Sequence, residues 1–124
     1  MKTIILDTNA LMAIAELNID IFREVERVCF FTYTFKVLSG TLEELQKIQQ
    51  EQRGKFKAAA KLALSILEHK KIAVVPSSGN VDDALITLSQ QGNLILTQDR
   101  ELKKKLTRPY LTIRQKKMIV LVGG

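Results

Sequence analysis

The 124-residue sequence has very few of the residues that commonly serve as nucleophile, base or zinc ligand. Cys29 is the only cysteine and His69 the only histidine. A disulfide within the chain and a zinc site built from several Cys or His ligands are therefore excluded. Catalysis by a Ser–His or Cys–His pair would have to use His69. That histidine lies at a predicted helix end beside Lys70 and Lys71, where a solvated or cationic ring is the ordinary finding.

Long apolar runs are also missing. The longest, such as residues 119–122, are far shorter than the roughly 20 residues that cross a bilayer as a helix. The amino terminus passes from Met1 and Lys2 through a short apolar stretch to Asp7, which is not the pattern of a secretory signal. We therefore expect no membrane span and a cytoplasmic location.

What the sequence does contain is typical of one globular domain over residues 1–124. Hydrophobic residues make up 46% and charged residues 26%, with only six glycines and two prolines, which leaves nothing to favour disorder. The net charge of +6 and the pI near 9.6 suit a polyanionic partner. A basic cluster, Lys103, Lys104, Lys105 and Arg108, is a candidate nucleic-acid contact, although such runs are more often a solvated face.

The periodicity of apolar residues predicts strands that alternate with helices. Strands are predicted at residues 3–6, 30–35, 72–75, 94–96, 110–113 and 118–122. Helices are predicted at residues 9–17, 20–28, 55–69, 81–91 and 99–106, and another opens at residues 39–41 with Thr41 as its cap. This alternation predicts a mainly parallel sheet with helices on both sides.

Acidic residues recur where predicted strands give way to helices, which is the edge where parallel α/β sheets bind their ligands. Six acids fall there: Asp7, Glu43, Glu44, Asp82, Asp83 and Asp99. Each alone has a structural explanation, because an acid in a first helical turn stabilises the helix by about 0.3 to 1 kcal/mol. Thr41 and Glu44 are spaced as a capping box, and Asn80 with Asp83 is a weaker version. Asp99 has the position of a helix cap.

Several acids at one edge are harder to explain as caps. Neighbouring carboxylates repel, and each resists ionisation unless a cation offsets the charge. Oxygen ligands suit Mg²⁺ or Mn²⁺, and two such ions can activate a water and stabilise the leaving oxygen in phosphodiester cleavage. The basic residues would then contact the remaining phosphates.

Four segments, in this order, resemble the motifs of the PIN domain family. They are Leu6-Asp7-Thr8-Asn9, Glu43-Glu44-Leu45, Asp82-Asp83-Ala84-Leu85-Ile86 and Thr97-Gln98-Asp99-Arg100-Glu101-Leu102. The resemblance spans residues 3–122 and implies a Rossmann-like three-layer α/β/α fold with a mainly parallel sheet. It also implies an endoribonuclease that depends on Mg²⁺ or Mn²⁺.

The same resemblance assigns the candidate site. Asp7, Glu44 and Asp99 match the first, second and fourth acids of the family, and Asp83 is preferred for the third because residues 83–86 look like the family's helix start. Asp82 is a close competitor as metal ligand, and Glu43 is the competitor of Glu44. Three polar residues match positions that orient the acids or bind a water: Thr8, Asn9 and Thr97.

The segment that follows Thr97 looks more like the archaeal and eukaryotic ribosome-processing branch of the family than like a bacterial toxin, although Glu101 stands where some of that branch have aspartate. RNA is the implied partner, with a homodimer, a ribosome-assembly protein or an antitoxin as further ones. The competing hypothesis is a module that keeps the fold and binds RNA or a ribosome-assembly factor without cutting. A response-regulator-like receiver also expects acids at strand ends, but the spacing supplies neither its phosphorylatable aspartate nor its late lysine.

Overall fold

A computed structural model describes all residues, 1–124. Its six strands are β1 (Lys2–Leu6), β2 (Tyr33–Leu38), β3 (Ala73–Val75), β4 (Leu94–Leu96), β5 (Tyr110–Arg114) and β6 (Met118–Val122). Its six helices are α1 (Thr8–Glu16), α2 (Ile21–Val28), α3 (Ser39–Glu51), α4 (Gly54–His69), α5 (Val81–Gln90) and α6 (Arg100–Lys105). None of these six helices combines the length and the apolar character of a membrane span.

The strands form one sheet in the order β3-β2-β1-β4-β5-β6. The first five are parallel to their neighbours, and only β6 is antiparallel, paired with β5 through the turn at residues 115–117. Because parallel neighbours need a crossover connection, helices cover both faces. The predicted three-layer α/β/α fold with a mainly parallel sheet is confirmed.

The two faces of the sheet carry cores of unequal size. Ile4 and Leu6 of β1 point to the face covered by α1 to α4, where 19 buried residues pack together. Ile5 points to the other face, where only α5 and α6 pack, and the cluster there has six buried residues. Burial on both faces explains why β1 and β4 read as continuous apolar runs in the sequence.

Two local predictions are wrong. The second strand begins at Tyr33 rather than at residue 30, and Phe30 is 93% exposed. The helix after it begins at Ser39 directly behind Leu38, so Thr41 is not its cap but a buried residue inside α3 whose hydroxyl has no hydrogen-bond partner. The capping box with Glu44 is therefore absent. The second strand also ends at Leu38 rather than at residue 35, and the other predicted bounds agree with the structure to within one residue.

Candidate functional site

The site is built at the carboxyl ends of the two central strands. Asp7 directly follows β1 and Thr97 directly follows β4, and these strands are parallel neighbours. The pairing continues past the strand ends, because the Asp7 amide donates to the Leu96 carbonyl at 3.0 Å. The sheet therefore places the side chains of Asp7 and Thr97 next to each other.

Asp7 is buried, with 4% of its surface exposed, and both of its carboxylate oxygens accept hydrogen bonds. Its Oδ1 accepts from the Thr8 amide at 2.8 Å, so that Asp7 is also the N-cap of α1. Its Oδ2 accepts from the Thr97 hydroxyl at 2.7 Å. The carboxylate is therefore held in one orientation by two neutral donors.

Thr97 and Asn9 connect this carboxylate to the loop that carries Asp99. The Asp99 amide donates to the Thr97 hydroxyl oxygen at 3.1 Å. Asn9 Oδ1 accepts from the Gln98 amide at 3.1 Å, and the Gln98 side-chain amide donates back to the Asn9 carbonyl at the same distance. The loop between β4 and α6 is thereby fixed against the first turn of α1.

Asp99 and Glu44 approach from two other elements. Asp99 caps α6, because its Oδ1 accepts from the amides of Glu101 at 2.9 Å and Leu102 at 3.2 Å. Its other oxygen, Oδ2, makes no hydrogen bond within the chain. Glu44, in the second turn of α3, accepts from the Thr8 hydroxyl at 3.2 Å through Oε1. Both Glu43 and Glu44 are exposed, but only Glu44 has a hydrogen bond to this group of residues, which favours Glu44 of the pair.

The charges of four acids act on one another at this edge. Burial is the main cause that raises the pKa of Asp7, and the charges of Asp82 and Asp99 raise it further, against the lowering effect of the bonds from Thr97 and Thr8. Partial removal from water raises the pKa of Glu44, and the charges of Asp7 and Asp82 add to that. Asp7, Glu44, Asp82 and Asp99 therefore share one local electrostatic field, and we name this set the acidic edge.

The structure does not bring Asp83 to the acidic edge. Its side chain lines a groove on the other flank of α5, with Val75, Gly79 and Thr87. Neighbouring residues on a helix point about 100 degrees apart, so only one of Asp82 and Asp83 can face Asp7 and Glu44. Of the two, only Asp82 has a charge that acts on Asp7 and Glu44. The structure therefore favours Asp82 over the sequence-based preference for Asp83, and which of them binds a metal stays a prediction.

A close contact between helices supports this arrangement. A Cβ atom added at Gly40, in the first turn of α3, would lie 2.7 Å from Val81 Cγ2 and 3.1 Å from the Ser77 hydroxyl. The absent side chain lets the start of α3 come against the start of α5. Glu44 follows Gly40 by one helical turn and Asp82 follows Val81, so this contact brings the two acids towards each other.

The donor chemistry of the acidic edge fits a hard divalent cation. The side chains of Asp7, Glu44, Thr8, Thr97 and Asn9 offer carboxylate, hydroxyl and amide oxygens. The surroundings of Asp7 and Glu44 disfavour the charged form of both carboxyl groups. No three acidic side chains are close enough to form a complete ligand set by themselves. Mg²⁺ commonly keeps several waters and takes only one or two protein carboxylates, so the residues present still fit such an ion.

The predicted basic contacts divide into two groups. Lys103, Lys104 and Arg108 line a common groove beside α6, whereas Lys105 is exposed outside it. Arg100 also lines that groove, and sequence reasoning did not single it out. Gln98 and Gly40 were missed as well. The "T-x-D" motif contains Gln98 at its variable position, and nothing in a single sequence marks Gly40 as a helix contact.

The fold and the acidic edge define a class of protein, an α/β/α domain with its ligand site at the carboxyl edge of a parallel sheet. Within that class, residues 4–116 match the family model described as "PIN like domain". The chain belongs to the PIN-like domain family. The family expectation from the sequence motifs is thus confirmed.

Relatives of known name support the same family. The chain is 33% identical over 102 residues to ribonuclease VapC9 of Archaeoglobus fulgidus, covering 82% of this chain and 73% of that protein. It is 30% identical over 130 residues to ribonuclease VapC4 of Methanocaldococcus jannaschii, covering 99% and 98%. The solved structure of the PIN domain endonuclease Utp24 aligns with a TM-score of 0.77 at 19% identity, covering 97% and 90%. At that identity the likeness concerns the fold.

Proposed function

We propose that this protein is an endoribonuclease of the VapC type that hydrolyses RNA phosphodiester bonds with the help of Mg²⁺ or Mn²⁺. The observation that carries the proposal is the acidic edge, where burial and mutual repulsion raise the pKa values of Asp7 and Glu44. Without a cation such an arrangement destabilises the fold. The two curated relatives are both named ribonucleases, which supports RNA as the substrate.

The residues that would hold the cation, one or two directly and the others through its bound waters, are Asp7, Glu44, Asp82 and Asp99. A bound divalent ion supplies Lewis acidity and a more acidic water at the phosphodiester. The chain itself supplies orientation. The Thr97 hydroxyl and the Thr8 amide donate to the two oxygens of Asp7, and the Thr8 hydroxyl donates to Glu44. The first backbone amides of α6 donate to Asp99. Fixed ligands of this kind limit reorganisation when substrate binds.

The test is cleavage of a single-stranded RNA by purified protein in the presence and absence of divalent ions. We expect internal cleavage with Mg²⁺ or Mn²⁺, none in excess chelator, and recovery when the metal is restored. The variant Glu44→Gln should lose activity. Its matched control is Glu43→Gln, which should keep activity. Equal cleavage in chelator, or equal activity of the two variants, would contradict the proposed site.

The biological setting proposed is that of a toxin-type ribonuclease, with an antitoxin as protein partner, because both named sequence relatives are VapC ribonucleases. The ribosome-processing role has weaker support, since the likeness to Utp24 at 19% identity concerns the fold alone. A module that binds RNA without cutting predicts no cleavage under any metal condition. The same assay therefore separates that alternative from the nuclease.

A further inference from the structure

A second charged region lies beside α6, next to the acidic edge but opposite in sign. It is a groove of about 560 Å³ lined by six residues: Arg100, Lys103, Lys104, Leu106, Arg108 and Tyr110. Four of the six are cations, and no acid lines it. We name it the basic groove.

Most of the cations in the basic groove have no partner within the chain. Lys104 lies 3.3 Å from Glu101, an exposed pair of the kind that contributes little to stability. Arg100, Lys103 and Arg108 form no ion pair. Unpaired like charges in one groove repel one another, and a bound polyanion relieves that repulsion. Arginine also presents a planar fork of donors that matches phosphate oxygens.

The position of the basic groove ties it to the acidic edge. Arg100 directly follows Asp99, so their Cα atoms are about 3.8 Å apart. From there the groove follows α6 towards Arg108. Tyr110, at the start of β5, is partly buried: it packs against the smaller core and also lines the groove. A strand leaving the acidic edge along α6 would meet cations for its phosphates and an aromatic face for a base.

We infer that the basic groove is a binding subsite for single-stranded RNA next to the scissile bond, with phosphates on Arg100, Lys103 and Arg108 and one base stacked on Tyr110. This inference rests on the proposed function and deepens it. Aromatic stacking combined with a cationic groove is the usual means by which proteins hold single strands without reading their sequence. An acidic protein segment lacks the base that Tyr110 would stack.

The test is binding of a fluorescently labelled, single-stranded RNA oligonucleotide to the full-length protein in chelator, measured by anisotropy over a range of salt. Lys103→Ala should lower the slope of log affinity against log salt by about 0.7, the value for one released contact on a single strand. Lys105→Ala is the matched control, because it removes the same charge from the same helix outside the groove. It should leave the slope unchanged.

Variants of Tyr110 distinguish base stacking from phosphate contacts. Tyr110→Leu should weaken binding about tenfold, within the range for one stacked base, with no change in the salt slope. Tyr110→Phe keeps the aromatic face and should bind like wild type. Thermal melts of each variant show whether a loss comes from unfolding. If both Tyr110 variants bind like wild type, the stacking part of the inference is overturned.

Equal effects of Lys103→Ala and Lys105→Ala would overturn the subsite. Polyglutamate that competes as well as an RNA of equal charge would overturn RNA as its ligand. These outcomes are independent of cleavage, since binding is measured without metal. If wild-type protein never cleaves but Lys103→Ala still loses affinity, the basic groove stands and the proposed nuclease activity fails.

Discussion

The acidic edge and the basic groove lie side by side around Asp99 and Arg100, yet they are built in different ways. At the acidic edge, Asp7 is buried and both of its oxygens accept hydrogen bonds. Thr97 connects it to Asp99, and Thr8 connects it to Glu44. In the basic groove the cations sit on the surface and contact little within the chain. The first region is a coupled network, and the second is a set of separate charges.

This difference teaches how each region should respond to substitution. Groups in one hydrogen-bond network share partners, so the loss of one alters the others, and effects do not add. Surface charges that contact a flexible polyanion contribute separately, each with a small effect. Large, coupled losses are therefore expected at the acidic edge and small, additive losses in the basic groove.

The largest effect is expected for Asp7→Asn. Activity should fall by roughly 1,000-fold, the scale seen when a group acting directly on the transition state is removed. The thermal midpoint of the metal-free protein should stay the same or rise at neutral pH, because a buried charge is removed. Cleavage assays and thermal melts with and without Mn²⁺ measure both. A Mn²⁺-dependent rise in midpoint should be present in wild type and much smaller in the variant.

The pH dependence of stability shows whether ionised Asp7 raises or lowers the free energy of unfolding. The pKa of Asp7 is raised above its ordinary value of 3.8, so the unfolded chain releases this proton first as pH rises. Between the unfolded and the folded pKa, the metal-free free energy of unfolding should therefore fall with rising pH. Asp7→Asn should remove that part of the fall. If the variant instead melts lower at every pH and Mn²⁺ shifts both proteins equally, Asp7 is a structural cap only.

The next effect separates the adjacent aspartates of α5. Asp82→Asn should reduce cleavage by about 100-fold, the lower end for a charge acting at the reacting group, while Asp83→Asn should leave most of it. The two variants remove the same charge from the same helical turn, which makes each the control of the other. NMR titration of the Glu44 carboxyl adds a second readout, since only Asp82→Asn should lower the pKa of Glu44. If the two variants behave alike, activity depends on the total negative charge of this helical turn and not on which aspartate faces Asp7 and Glu44.

Sequence reasoning found the acids but could not choose between these two. The order of strands and helices and the edge at which the acids gather follow from apolar periodicity, and β4 and β6 were placed without error. The direction of Asp82 depends on the rotation of α5 about its axis, which tertiary packing sets. The start of β2 depends likewise on its register with β1, where Lys2 pairs with Tyr33. The aromatic residues before Tyr33 have the composition of a strand although they do not pair with β1, so composition alone could not show where β2 begins.

A smaller effect is expected for Thr97→Val, which keeps the side-chain shape and removes the hydroxyl. The bond from Thr97 lowers the pKa of Asp7, so its loss should raise that pKa further. Because a metal needs the ionised carboxylate, the acid limb of Mn²⁺ affinity should move to higher pH. Activity at neutral pH should fall about 10-fold, the lower end for a group that orients a ligand. An unshifted acid limb would show that Thr97 does not tune Asp7.

The smallest single effects are expected in the basic groove, where Lys103→Ala and Arg108→Ala should each weaken RNA binding by a few-fold. Their double variant should show nearly the sum of the two free-energy changes, to within about 0.5 kcal/mol. Anisotropy titrations of the four proteins in chelator measure this cycle. Strong coupling between the two positions would contradict the view that the cations of the basic groove act separately, unlike the acids of the acidic edge.

The contact at Gly40 sets a tolerance for the whole site. Val81 is β-branched and its χ1 angle is stiff, so its methyl group cannot swing away easily from an added Cβ at 2.7 Å. The starts of α3 and α5 therefore cannot stay this close together if even one methyl group is added at Gly40. A substitution at Gly40 would therefore displace Glu44 and Asp82 from each other, even though every acid of the site and its hydrogen bonds were kept. Gly40 has no functional group and is far along the chain from both Asp7 and Asp99.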